Sequence, residues 1–409
     1  MALRALEPIP QGLKPAVFQP FSARLKSCPD TMRVYETRSR NRNGNESTES
    51  INPAPPGEGT NMALTRRVFL AQFGTGFVAP LILGAANKSG SKKPILGSGE
   101  HTYEVTHDWG ELPAGIQYGN THGVCEDSQG HIYIHHTVYA TSEKPDSMVV
   151  FDHKGKFVKS WGKEFRGGAH GLYIRKEGGS EYLYLCDTQR GLVVKTTLSG
   201  DEVFSLGYPK ESEAYAKPGP DGKPIKYSPT NLAVAPNGDI YVGDGYGSSY
   251  INQYGGKGEY IRTFGGPGKE AGQLLCPHGI ILDSRGPVPI LNVADRSNKR
   301  IQRFTLDGKH IDFLYGTNAP CHFNIYKNGD MVVPDLFARV TLMDRDNKII
   351  ENLGDDSSSN YMETRKLSRN RFTPGKFVCP HGACFDHSGN IFVVEWVEVG
   401  RVSKLRKVA

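Results

Sequence analysis

The chain has 409 residues and a formal net charge of +6, much of it carried by the first hundred residues and the last ten. That length can bury a sizeable core. The uneven charge, with no basic helix, aromatic ribonucleoprotein motif or zinc-finger spacing, argues against nucleic acid as a partner. Glycine (48), tyrosine (19) and phenylalanine (18) are plentiful while long amphipathic helical patterns are scarce, which favours an all-β protein.

Residues 1–61 are rich in Pro, Ser, Arg and Asn without periodicity. They read as a disordered leader or a misplaced gene start, with Met62 as the expected initiator. Residues 62–86 follow with LTRRVFLAQFGTGFVAPLILGAA, in which Arg66 and Arg67 precede Val-Phe-Leu and a modest apolar run. This resembles a twin-arginine export signal. Its apolar run is broken by glycines and a proline and is too short to span a bilayer comfortably. The expectation is therefore a periplasmic or secreted protein with no stable membrane span once the signal is removed. Folded export by this route suits a protein that loads a metal before it leaves. Residues 87–100 read as a linker and 101–409 as the folded domain, expected to be a monomer. Of seven cysteines, six follow the signal, and their spacing shows no compact disulfide framework, so buried thiols are expected.

From residue 121 onward one pattern recurs. THGVCEDSQGHIYIHH, AHGLYIRKEGGSEYLYLCD, PTNLAVAPNGDIYVGD, PHGIILDSRGPVPILNVAD, CHFNIYKNGDMVVPD and PHGACFDHSGNIFVVE each give a short apolar strand, a polar turn and a second alternating strand. In five of the six an acidic residue closes that strand: Asp187, Asp244, Asp295, Asp335 and Glu395. Third and fourth strands follow, as in SMVVFDHKGKFVKSWG, with KGK, NGD and DGK hairpin signals. Starts at 122, 170, 230, 278, 322 and 381, spaced 44 to 60 residues apart, predict a six-bladed β-propeller of four-stranded antiparallel blades. The last unit is short, and HTYEVTHDWG, ahead of the first repeat, is expected to complete it and close the ring.

In a propeller the first strand of each blade lines the central channel. The equivalent positions at its mouth are His122, His170, Thr230, His278, His322 and His381. Five histidines far apart in sequence are thus expected to converge. Several neutral imidazoles form a good divalent-metal environment, and three of them with an open position make a catalytic zinc site. The spacing alone does not select which three. Tyr246, just past Asp244, and Arg296, just past Asp295, are expected on the same side of the ring. A phenol near a metal can move a proton, and a guanidinium can hold a carboxylate through two parallel bonds.

The stretches SPTNLAVAPNGDIYVGDGYGSSYINQY, CPHGIIL and VADRSNKRIQRF, between Ser228 and Phe304, resemble the peptidyl-α-hydroxyglycine α-amidating lyases, six-bladed propellers of the NHL-repeat type. Weaker similarity runs from about Gly119 to Val408. The resemblance implies a carbon–nitrogen lyase that splits an amide-linked 2-hydroxy acid, in a small molecule or peptide, into an amide and glyoxylate. It implies zinc on His170, His278 and His381, Tyr246 as base, and Arg296 holding the carboxylate. It further implies a structural calcium on the backbone carbonyls of Val124 and Leu172, although Gly382 stands where the family places an aspartate for that ion. A second family arginine falls near His136 and Thr137, where this chain has none. His122 and His322 are extra, as further candidate metal ligands. Two other readings fit the scaffold: a metal-dependent hydrolase or lactonase, and a non-catalytic NHL propeller that binds protein or polysaccharide.

Overall fold

A computed structural model describes residues 93–219 and 222–408, so the leader and the export signal lie outside the described residues. Strands dominate, in six antiparallel sheets. Blade one is Thr121–Glu126, Ile132–His136, Met148–Phe151 and Phe157–Trp161. Blade two runs Ala169–Glu177, Ser180–Asp187, Leu192–Thr197 and Glu202–Leu206, and blade three Asn231–Val234, Ile240–Gly243, Tyr250–Tyr254 and Tyr260–Gly265. Blade four is Pro277–Asp283, Ile290–Asp295, Arg300–Phe304 and His310–Leu314, and blade five Asn324–Ile325, Met331–Asp335, Arg339–Met343 and Ile349–Leu353. Blade six has Pro380–Phe385, Ile391–Glu395 and Arg401–Lys407, and takes its fourth strand, Tyr103–His107, from the start of the domain. Tyr103 sits opposite Lys407 and His107 opposite Ser403, so the two ends of the domain close the ring through one ladder.

Residues 95–96, read from sequence as linker, add a short fifth strand to that blade, with Ile95 opposite Glu104 and Leu96 opposite Tyr103. Two residues are too few for an alternating pattern to register; Leu96 is fixed by packing against the apolar layer beneath it. Among the described residues the two α-helices span only Glu213–Ala216 and Tyr361–Thr364, and no helix there is long and apolar enough to cross a membrane.

Alternation along the strands puts apolar side chains on both faces of each blade, and the core is a set of layers between neighbouring blades. Val332 and Val340 of blade five meet Val393 and Leu405 of blade six, and Phe392 of blade six meets Ile132 and Val149 of blade one. The other four junctions repeat the arrangement. Hairpins turn at left-handed residues: Gly155 and Gly308 have φ of 88° and 84°. In the glycine-free turn of blade five Asn347 takes φ 63°, a conformation Asn tolerates better than most residues.

The five acidic residues that close second strands are buried. Four use one oxygen to hold a backbone N–H just ahead of an inner strand: Ser228 on Asp244 (2.6 Å), Leu275 on Asp295 (2.7 Å), Ala319 on Asp335 (2.8 Å) and Val378 on Glu395 (2.7 Å). Arginines compensate the charge, with Arg190 on Asp187, Arg300 on Asp295, Arg339 on Asp335 and Arg401 on Glu395, while Asp244 accepts from the Tyr215 and Ser248 hydroxyls. Asp244, Asp295, Asp335 and Glu395 therefore each join the end of one strand to the entry of the channel-lining strand beside it.

Removing one partner of a fully buried pair leaves an uncompensated charge. Arg401→Met should lower the unfolding free energy by about 3–5 kcal/mol in urea titrations. A loss under about 1 kcal/mol, the range of exposed pairs, would contradict this role.

Candidate metal centre and active site

The repeated His-Gly pair has a steric and an electrostatic explanation. Inner strands of neighbouring blades approach so closely that a Cβ on Gly171 would lie 2.6 Å from Thr230 O, one on Gly279 2.6 Å from Cys321 O, and one on Gly382 2.5 Å from His122 O. Only glycine allows that approach. The preceding histidine then donates from Nδ1 to a carbonyl of the next blade: His170 to Thr230 O (2.6 Å), His278 to Cys321 O (2.8 Å) and His381 to His122 O (3.1 Å). A carbonyl only accepts, so Nδ1 carries the proton and Nε2 keeps its lone pair. Burial holds His170 at about 3 and His278 and His381 well below the usual imidazole range, with Arg296 adding to the effect on each. These rings are neutral, with fixed tautomers.

Their free nitrogens converge. Ring centroids of His170, His278 and His381 lie 4.7 to 4.8 Å apart in all three pairings. Tyr246 Oη lies 3.2 Å from His170 Nε2 and 3.0 Å from His278 Nε2, while Arg296 Nη1 donates to that oxygen at 3.3 Å. A phenol has one proton and cannot satisfy two imidazole lone pairs. The cluster has a surplus of buried acceptors, the condition a bound cation relieves. Two groups lie close enough for one ion: His122, His170 and His381, and His278, Cys321 and His381, each with its ligand atoms within 4.8 Å of one another. Neutral imidazole with an optional thiolate is a donor set for zinc or another divalent first-row metal.

The loops that carry Tyr246 and Arg296 are pinned by the same buried carboxylates. Asp244 accepts from Ser248 N (2.8 Å), and Asp295 from Asn298 Nδ2 (2.9 Å). The Arg296 side chain is buried and its guanidinium lies 5.2 Å over the Tyr246 ring.

The two extra histidines part company here. His122 stacks beside His170 and His381, at 4.7 and 4.4 Å between centroids. His322 makes no such ring contact among the described residues and donates to Ala383 O at 3.2 Å. Val124 and Leu172 lie buried on adjacent inner strands. The calcium implied on the Val124 and Leu172 carbonyls would lack a carboxylate at position 382, where Gly382 stands, and calcium takes six to eight oxygens.

Where the resemblance places a second arginine, His136 is buried and accepts from Val138 N on Nδ1 (3.0 Å). Another arginine reaches that rim. Arg365 stacks on Trp396 at 3.5 Å and donates to Asn120 Oδ1 at 3.0 Å, two residues before His122. It comes from a loop between blades five and six, outside the repeat, so no repeat position marks it. Cys321 was legible only as a buried thiol; burial pushes it up to about 12. All six cysteines among the described residues are free.

The fold and this cluster define a six-bladed propeller with a histidine-lined channel competent to hold a metal. The chain has homologues among the peptidyl-α-hydroxyglycine α-amidating lyases and NHL repeat-containing proteins. It is 33% identical over 161 residues to peptidyl-alpha-hydroxyglycine alpha-amidating lyase 1 of Drosophila melanogaster, covering 37% of this chain and 27% of that protein. It is 29% identical over 213 residues to NHL repeat-containing protein 3 of Homo sapiens, covering 50% of this chain and 57% of that protein. The chain thus spans only part of the length of these relatives. A gluconolactonase from Xanthomonas campestris superposes with a TM-score of 0.51 at 14% identity, over 79% of this chain and 98% of that one, and shares the fold. No protein-family model matches the chain.

Burial lowers His135 to about 4 and His136 to about 3. The unfolded chain takes up these protons below about pH 6.5 while the folded chain does not. Their contribution is complete above pH 6.5 and is lost as the pH falls towards 4, by about 1.4 kcal/mol per pH unit for each histidine. The drop in urea midpoint between pH 7 and pH 5 should be smaller in His136→Gln than in the wild type. An equal drop would contradict a neutral, buried His136.

Proposed function

We propose that the protein is an exported, metal-dependent carbon–nitrogen lyase that splits an amide-linked 2-hydroxy acid into an amide and glyoxylate. The observation that carries this reading is Tyr246 Oη placed between the free nitrogens of His170 and His278 and bonded by Arg296. His170, His278 and His381 would hold the ion, zinc by donor type. When bound, the metal supplies Lewis-acid polarisation of the substrate hydroxyl.

The chain's own residues account for the rest. Arg296, buried beside Tyr246, pairs with the substrate carboxylate and orients the carbinol carbon towards the histidines. Tyr246 Oη passes its own phenolic proton to the departing amide nitrogen as it takes up the hydroxyl proton, and so ends the step as the phenol it began. The O–H and C–N bonds break while the C=O and N–H bonds form, so neither water nor a redox partner is consumed. The amidating-lyase homologues support this assignment over a lactonase, and so does the lack of carboxylates in the candidate ligand groups. The paired arginines Arg66 and Arg67 support export after folding.

The test is glyoxylate release from an α-hydroxyglycine-terminated peptide by zinc-loaded protein. Tyr246→Phe should lower the rate by about 100-fold or more, and Arg296→Ala should lower kcat/KM by about 10- to 100-fold. No glyoxylate from the wild type would overturn the lyase reading; turnover of a lactone instead would point to the hydrolase.

A further inference from the structure

We infer that the channel offers a second ion position, on His278, Cys321 and His381, which takes a thiophilic cation such as copper(I) and excludes the three-histidine ion while it is filled. The inference rests on the reading that the channel binds a metal, and deepens it.

The ligand atoms of His278, Cys321 and His381 lie within 4.8 Å of one another, and all three residues are buried. Cys321 is held on both sides by its backbone. Its N–H donates to Pro334 O at 2.9 Å, and its carbonyl receives the His278 Nδ1 proton at 2.8 Å. The thiol therefore stands beside the very ring that its own carbonyl orients. Around a three-coordinate ion, with metal–nitrogen bonds of about 2.0–2.1 Å and a metal–sulfur bond of about 2.3 Å, ligand atoms sit about 3.5–3.8 Å apart. Closing this triangle onto an ion thus takes a movement of about 1 Å, within the reach of side-chain torsions.

Sulfur decides which ion the position suits. Thiolate is a soft donor and favours copper(I) over harder divalent ions. Zinc prefers four ligands, which three histidines and an open corner supply. Closed-shell copper(I) is satisfied by three donors, and this position has three. As it binds, the copper–sulfur bond forms, the S–H bond breaks and the proton leaves to solvent, with no electron transferred. His278 and His381 each spend Nδ1 on a carbonyl and keep a single nitrogen for a metal. The two positions share both rings, so only one can be filled at a time. Arg296 donates to the Cys321 sulfur, and it is also the group proposed to hold the substrate carboxylate. A thiophilic ion thus withdraws two zinc ligands and engages the substrate's anchor together.

Copper(I), supplied without oxygen from a chelator complex to zinc-loaded protein, is the probe. X-ray absorption at the copper edge should show one sulfur and two imidazoles, with one zinc released for each copper bound. Cys321→Ser should lose the sulfur signal and bind copper(I) more than about 100-fold more weakly, beyond the 10- to 100-fold typical of losing a group that merely orients a ligand. Cys276→Ser and Cys379→Ser, at thiols outside both ligand groups, should keep the signal. The wild-type spectrum and zinc release keep the test decisive where a variant fails to fold. A copper spectrum without sulfur, sulfur that persists in Cys321→Ser, or copper bound without loss of zinc would overturn the inference and leave the three-histidine site and the lyase reading intact. The expected spectrum and zinc release without glyoxylate from the zinc-loaded protein would uphold it and sink only the proposed reaction. A wild type that binds neither zinc nor copper(I) would overturn both metal claims.

Discussion

The hydrogen bond from a channel histidine to a carbonyl of the next blade is the contact on which the rest depends. It joins blade to blade at the axis, and after His170, His278 and His381 the strands are too close for any side chain at the following position, which is glycine. It also decides chemistry: with the proton held on Nδ1, every Nε2 is left as a lone pair aimed inward. One interaction thus packs the ring and prepares a donor set. A surplus of neutral acceptors in a buried space is costly unless something electron-poor shares them, which links the architecture of the propeller to the proposed metal.

A second tier holds that contact in place. In blades three to six the buried carboxylate at the end of the second strand reaches the backbone two or three residues ahead of a channel residue, and its arginine or hydroxyl partners keep its charge satisfied. In blades three and four the same carboxylates pin the loops bearing Tyr246 and Arg296. Structural ion pair and candidate site are therefore one construction. Blade one departs from it, with His136 in place of the acid, on the strand paired with that of His122.

The repeat, the ring closure by residues 103–107 and the convergence of histidines were legible because each depends on periodicity or on equivalence between repeats. Tyr246 and Arg296 could be placed near the histidines by their offset from Asp244 and Asp295. The rest turns on features that spacing does not encode. His122 and His322 occupy equivalent positions, yet His322 spends Nδ1 on Ala383 O while His122 Nδ1 lies 3.3 Å from His381 Nε2. Cys321 reaches the cluster because the fifth blade's inner strand, Asn324–Ile325, is only two residues long and the channel residues precede it. Arg365 arrives from a loop that belongs to no repeat, so nothing in the pattern marks it.

The central claim is that converging imidazoles hold one metal ion in the channel. Elemental analysis of purified, folded protein against His278→Ala tests it most directly. The account predicts about one first-row transition metal per chain in the wild type, lost on removing this single ring while the propeller remains folded. A folded wild type with no bound metal, or one whose metal survives His278→Ala undiminished, would contradict it and leave the histidines as lining of a binding scaffold.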